Sequence, residues 1–140
     1  MAESIKIGYS FEEKRTFSVK ELQKMATDCG DMNFIHHNIA EAKETRFGDI
    51  IASGSAISAI FSAMIPTNIS KINPMLGLEM SFKFPAPVRA NIEITMGWRV
   101  SEVDDKPNTI NIVTLLGTVT DNKGCMLVEG VAKIVLLPHL

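Results

Sequence analysis

The sequence predicts an α+β domain in which helices are segregated to one face of an antiparallel sheet. Three observations carry this: a capped amphipathic helix near the N-terminus, an uncharged apolar helix in the middle, and four long strand-like stretches in the C-terminal half.

Taken in order, Phe11 to Phe17 reads as a short strand or extended lead-in. Ser18 and Glu21 then form an S-x-x-E capping box, which satisfies the first free amides of a helix. Leu22, Met25, Ala26 and Cys29 follow the i, i+3, i+4, i+7 rule, and Gly30 supplies a permissive C-terminal cap. A loop from Asp31 to Asn38 and one short helix from Ile39 to Thr45 come next. Gly54 opens the central helix, Ser55 to Ile65, which is expected to stop at Pro66. It is built from Ala, Ile, Phe and Met with small serines and no charge on any side, the composition of a helix enclosed all round. Its apolar run is interrupted by serines and falls short of the ~20 residues that span a bilayer, so a membrane segment is not expected.

Beyond it, Ile92, Ile94, Met96, Trp98 and Val100 alternate with Asn91, Glu93, Thr95, Gly97 and Arg99, the period of a half-buried strand. Met75 to Phe84, Thr109 to Thr120 and Cys125 to Leu137 read as further strands, with Asn122, Lys123 and Gly124 as the turn between the last two. Pro85 and Pro87 bound the first of these.

A chain of 140 residues without a linker-like stretch is expected to form one domain, residues 1–140. A net charge of -2 gives no broad basic field, so nucleic acid is not an expected partner. Cys29 and Cys125 occur without C-x-x-C spacing, so neither a disulfide framework nor a thiolate zinc site is expected, and a reducing cytoplasm fits. Met1 to Ser10 never reach the apolar core of a signal peptide.

The chemistry concentrates in Gly30-Asp31-Met32-Asn33-Phe34-Ile35-His36, where a carboxylate, an amide and an imidazole share one loop. Hydration of a carbon-carbon double bond needs one group to take a proton from water and another to deliver a proton to carbon. An Asp/His pair around one water supplies both. The same residues also have plainer roles: Asp31 capping a turn, Asn33 bonding to backbone, His36 at the surface. A metal site from Asp31, His36 and His37 lacks a third spaced ligand, and no cofactor is expected. Gly54 opens an apolar helix, so its unpaired amide suits developing negative charge, although a glycine needed for a tight turn reads the same way. No G-x-S-x-G elbow surrounds Ser55, Ser58 or Ser62.

Gly30-Asp31-x-Asn33-x-x-His36, followed by Ser53-Gly54 and a small-residue helix, resembles the R-specific enoyl-CoA hydratases of the MaoC-like dehydratase family. Met80-Ser81-Phe82-Lys83-Phe84-Pro85 is similar to the S-F-K-x-P strand of that family. The resemblance covers nearly the whole chain. It implies a hot-dog fold, a sheet wrapped around the central helix, and a homodimer whose interface builds a tunnel for an acyl-CoA thioester. It further implies that Asp31 and His36 hold the catalytic water, that Asn33 helps fix the loop, that Gly54 offers its amide to the thioester carbonyl, and that Ser62 lies near the site. Three departures stand out: Phe34 where Pro is common, Ser53 where a His usually precedes the glycine, and Arg89-Ala90 where Gly-Asp often forms a turn. Acyl chain length is therefore left open.

Two rivals share the fold. A hot-dog thioesterase usually carries an acidic residue on or beside the central helix, and Gly54 to Ile65 has none. The acyl-carrier-protein dehydratase type has an H-x-x-x-P-G-x-P loop that is absent here. A non-catalytic acyl-CoA binding or partner subunit commonly loses the acid or the base, whereas Asp31, Asn33 and His36 are all present.

Overall fold

The structure is a computed structural model and describes residues 5–104 and 111–138. Strand β1 (Ser10–Thr16) leads into helix α1 (Val19–Cys29). The capping box at its start is formed: Ser18 Oγ accepts the Glu21 N–H and Glu21 Oε1 accepts the Ser18 N–H, both at 3.1 Å. Leu22 and Ala26 are fully buried, and Gly30, at φ 82°, closes the helix in the left-handed region. A single 3₁₀ turn (Phe34–His36) and the short helix α2 (Ile39–Lys43) lead to the central helix α3 (Gly54–Ile69). Strands β2 (Met75–Lys83), β3 (Glu93–Asp104), β4 (Asn111–Asp121) and β5 (Met126–Leu136) complete the chain. Thr109 and Ile110, the expected start of β4, lie outside the described residues.

The strands form one antiparallel sheet in the order β1-β3-β4-β5-β2. Register breaks in the β2/β5, β3/β4 and β4/β5 pairs add the local bend that lets the sheet wrap a helix. One cross-strand row shows how α3 is seated: Phe11, Trp98, Gly117, Gly130 and Phe82 are successive partners across the five strands. The Trp98 indole lies over the two glycines and stacks on Phe61 of α3 at 4.3 Å, while its Nε1 donates to the Phe61 carbonyl at 2.9 Å. A Cβ at Gly117 would sit 2.5 Å from Trp98, so only glycine leaves room for this ring. The helix in a curved sheet is the hot-dog plan that the resemblance implies.

Two expectations about α3 need correction. The helix runs through Pro66 to Ile69, because Ile65 and Ile69 are fully buried and Asn68 Nδ2 donates to the Met64 carbonyl at 2.7 Å. Tertiary burial and a side-chain bond outweigh the one backbone bond that the proline removes. Nor is α3 enclosed all round: Ser55, Ala59, Ala63, Pro66 and Thr67 are exposed in the single chain. Edge strand β2 pairs with β5 alone and exposes Leu76, Leu78 and Met80. Among the described residues no helix is long and apolar enough to cross a membrane.

Candidate active site

The loop after α1 is aimed by backbone bonds before any side chain acts. The Asp31 N–H reaches back to the Ala26 carbonyl at 2.9 Å, the six-to-one bond of a Schellman motif, so Asp31 leaves the helix in a fixed direction. Its Oδ1 accepts the Asn33 N–H at 3.1 Å, and Asn33 Oδ1 in turn accepts the Ile35 N–H at 3.4 Å at the start of the 3₁₀ turn. The capping roles read for Asp31 and Asn33 are therefore real. They are also what delivers the side chains.

His36 is not at the surface, for only 6% of it is exposed. Its Nδ1 lies 2.8 Å from the Ile51 carbonyl oxygen. A carbonyl only accepts, so Nδ1 carries the proton and the lone pair of the neutral ring is on Nε2. That lone pair faces Asp31 Oδ2 at 3.3 Å. Two acceptors at that distance repel unless a proton lies between them or a water donates to both from one side, which makes the pair a place to hold and exchange a proton.

Asp31 Oδ2 also accepts the Ser53 hydroxyl at 2.6 Å. The Ser53 hydrogen bond, the Asn33 N–H, and the nearby His36 and His37 together hold the Asp31 carboxyl below the usual carboxylate range, against the opposing effect of burial. At neutral pH it is an anion. His37 is half-buried, and its Nε2 donates to the Asp31 backbone carbonyl at 2.7 Å. Its own carbonyl accepts Gln23 Nε2 of α1 at 2.8 Å. The 3₁₀ turn folds the chain back, so adjacent side chains do not point to opposite sides as they would in an extended loop.

Beside the pair is a cavity of about 390 Å³, walled by His36, Asn33, Ile51, Gly54, Ile57 and Phe84 among others. Ser53 Oγ accepts the Ala56 N–H at 3.2 Å, which caps α3. Neither the Gly54 nor the Ser55 N–H has a partner among the described residues. Gly54 lines the cavity, and its N–H is a free donor at the positive end of α3. Gly54 does not adopt the left-handed backbone. A Cβ there would stand 3.3 Å from Cε1 of the half-exposed Phe84 ring, a close contact that a small shift of the ring relieves.

The structure thus brings Asp31, Asn33, His36 and Gly54 to one place. Asp31 is not itself a wall of the cavity and stands behind His36, with about a quarter of its side chain exposed. Ser62 is not brought in: it lies about 12 Å further along α3, and its hydroxyl donates to the Ala59 carbonyl at 3.1 Å. Sequence reasoning noted Ser53 only as a departure and missed its bond to Asp31. An N-cap serine immediately before a candidate oxyanion glycine was the available signal.

A family model described as MaoC like domain matches residues 1–122. The chain belongs to the MaoC-like family. Its structure is similar to the (R)-hydratase from A. caviae involved in PHA biosynthesis, with a TM-score of 0.84 and 26% identity over 97% of this chain and 100% of that one. It is also similar to the R-hydratase PhaJ1 from Pseudomonas aeruginosa, with a TM-score of 0.80 and 26% identity over 97% and 90% of the two chains. The MaoC-like dehydratase from Rhodospirillum rubrum shares the fold at 19% identity and a TM-score of 0.81, over 97% and 95%. A comparison with curated protein sequences finds no match. The fold of this MaoC-like protein is the hot-dog fold, and its family and neighbours support a hydratase or dehydratase function.

Proposed function

We propose that the protein hydrates trans-2-enoyl-CoA to (R)-3-hydroxyacyl-CoA, reversibly, with Asp31 and His36 as the catalytic pair. The observation that carries this reading is the Nε2 lone pair of His36 facing the Asp31 carboxylate at 3.3 Å, beside a cavity that Gly54, with its unpaired N–H, helps to line. In this reading the thioester carbonyl accepts the Gly54 N–H, which draws electrons from the β-carbon. A water held between Asp31 and His36 gives a proton to Nε2 while its oxygen bonds to the β-carbon. The resulting enolate charge rests on the thioester oxygen, and Nε2 returns the proton to the α-carbon. Asp31 is the weaker base of the two because its hydrogen bonds favour the anion, so it orients the water and stabilises the imidazolium. Delivery of hydroxyl and hydrogen from one side is syn addition. Asn33 fixes the loop, and Ser62, about 12 Å further along α3, takes no part in the proton transfers.

The working assembly in this reading is a cytoplasmic homodimer. The free edge of β2, its exposed Leu76, Leu78 and Met80, and the open face of α3 are apolar surface that a second copy covers. The test is loss of enoyl-thioester absorbance with crotonyl-CoA, followed by oxidation of the product with an R-specific dehydrogenase. Release of free CoA thiol in place of hydration would establish a thioesterase instead.

A further inference from the structure

Ser53 is only 1% exposed, and its hydroxyl makes two bonds of different kinds. The oxygen accepts the Ala56 N–H at 3.2 Å, and the hydrogen goes to Asp31 Oδ2 at 2.6 Å. A hydroxyl has one hydrogen and a carboxylate only accepts, so that hydrogen is committed to Asp31. Ser53 is buried and is not among the residues that wall the cavity, so its hydroxyl is not placed to attack a substrate there. It is a link between two parts of the candidate site that come from separate stretches of chain, 22 residues apart. The next residue, Gly54, lines the cavity and holds an unpaired N–H. The position is also one where this chain departs from the family pattern, with Ser in place of the usual His.

We propose that Ser53 is a positioning residue, whose hydroxyl fixes the Asp31 carboxylate against the N-terminus of α3 and so sets the spacing between the proton-handling pair and the oxyanion donor. The proposal rests on the hydratase reading for its catalytic meaning, and on geometry alone for the link. The same hydrogen bond is the largest cause of the depressed Asp31 pKa. The other groups facing Asp31 are His36 and His37 from its own loop. Helix α1 contributes the Cys29 thiol, 3.9 Å from Ser53 Oγ, and α3 carries no charged side chain. Arg46 borders the cavity on the side of His36. Among the described residues the basic side chain within ion-pair distance of Oδ2 is His36, at 3.3 Å.

Two variants separate the link from the cap. Both Ser53→Ala and Ser53→Gly remove the two hydroxyl bonds, but glycine is tolerated at an N-cap far better than alanine, so the helix loses less in Ser53→Gly. The direct readout is the carbon-13 titration of the Asp31 carboxyl in parent and variants, which does not depend on turnover. The Asp31 midpoint is expected to move to higher pH in both variants, while the melting temperature of Ser53→Gly falls by less than that of Ser53→Ala. With crotonyl-CoA, kcat is expected to fall about tenfold or more, the scale of one lost hydrogen bond to a charged group, with KM little changed. An unmoved Asp31 midpoint in folded Ser53→Gly overturns the proposal. A parent protein that does not hydrate crotonyl-CoA overturns the function, and the carboxyl titration then still decides whether Ser53 holds Asp31.

Discussion

Replacing His36 separates the two jobs of its ring. Nδ1 donates to the Ile51 carbonyl at 2.8 Å, and Nε2 faces Asp31 at 3.3 Å. An Asn side chain places its amide nitrogen where Nδ1 of His stands and offers nothing at the position of Nε2. His36→Asn should therefore keep the structural bond and lose the chemistry. Loss of a general base typically costs ~100-fold to ~10,000-fold, or about 3 to 5 kcal/mol of barrier. His36→Ala should show the same kinetic loss and also leave the Ile51 carbonyl unpaired, at about 1–3 kcal/mol of stability. At roughly 3–5 °C per kcal/mol for a domain of this size, that difference is visible in a melting curve. His37→Ala loses a neutral bond to the Asp31 backbone, so its kcat should fall by less than about tenfold. The assay is crotonyl-CoA hydration for kcat, with thermal unfolding followed by circular dichroism. A His36→Asn enzyme that keeps more than about a tenth of parental kcat would refute the role given to Nε2. Equal losses at His36 and His37 would refute the distinction between them.

Further outcomes follow from other contacts. Gly117→Ala should lower stability by about 1–3 kcal/mol or more by overpacking, since the added Cβ falls 2.5 Å from a Trp98 ring that is itself hydrogen-bonded in place; urea unfolding measures it, and a neutral result would contradict the seating of Trp98. Asp31 has its folded pKa depressed, so the stability it contributes is present above the unfolded value of about 3.9 and is lost as pH falls through the folded value. The melting temperatures of parent and Asp31→Asn should accordingly run parallel near neutrality and converge in the parent's disfavour below about pH 4. Exhaustive chelation should leave hydration unchanged, and activity lost to a chelator and restored by a divalent ion would overturn the metal-free mechanism. Light scattering at micromolar concentration should give the mass of two chains, and an active monomer would contradict the role assigned to the β2 edge.

What the sequence discloses depends on how far apart the interacting residues stand. The α1 caps were legible because Ser18, Glu21 and Gly30 act on backbone within one helical turn. The end of α3 was not, because the cost of Pro66 is local while the burial that repays it, at Ile65 and Ile69, depends on the sheet. The glycine pair across β4 and β5 acquires meaning only from the register that lays Trp98 over it. The exposed face of α3 could not be read either, since an uncharged helix looks the same whether its own sheet or a second molecule covers it.

The candidate site divides in the same way, and the division bears on its chemistry. Asp31, Asn33 and His36 lie within six positions and were legible as a loop motif, yet by themselves they fix neither a tautomer nor a charge. The Ile51 carbonyl, 15 residues beyond His36, puts the proton on Nδ1 and so leaves Nε2 as the basic atom. Ser53, 22 residues beyond Asp31, is the largest influence holding its carboxyl below the usual carboxylate range. Both groups belong to the short segment that ends in the cap of α3, and Gly54 follows at once with its free amide. In the proposed reading, the chemical state of the Asp/His pair and the placement of the candidate oxyanion donor thus depend on the same few residues. A change in how that segment packs against the loop alters acid-base chemistry and substrate polarisation together, so variants at Ile51, Ser53 and Gly54 should show coupled rather than additive effects on kcat.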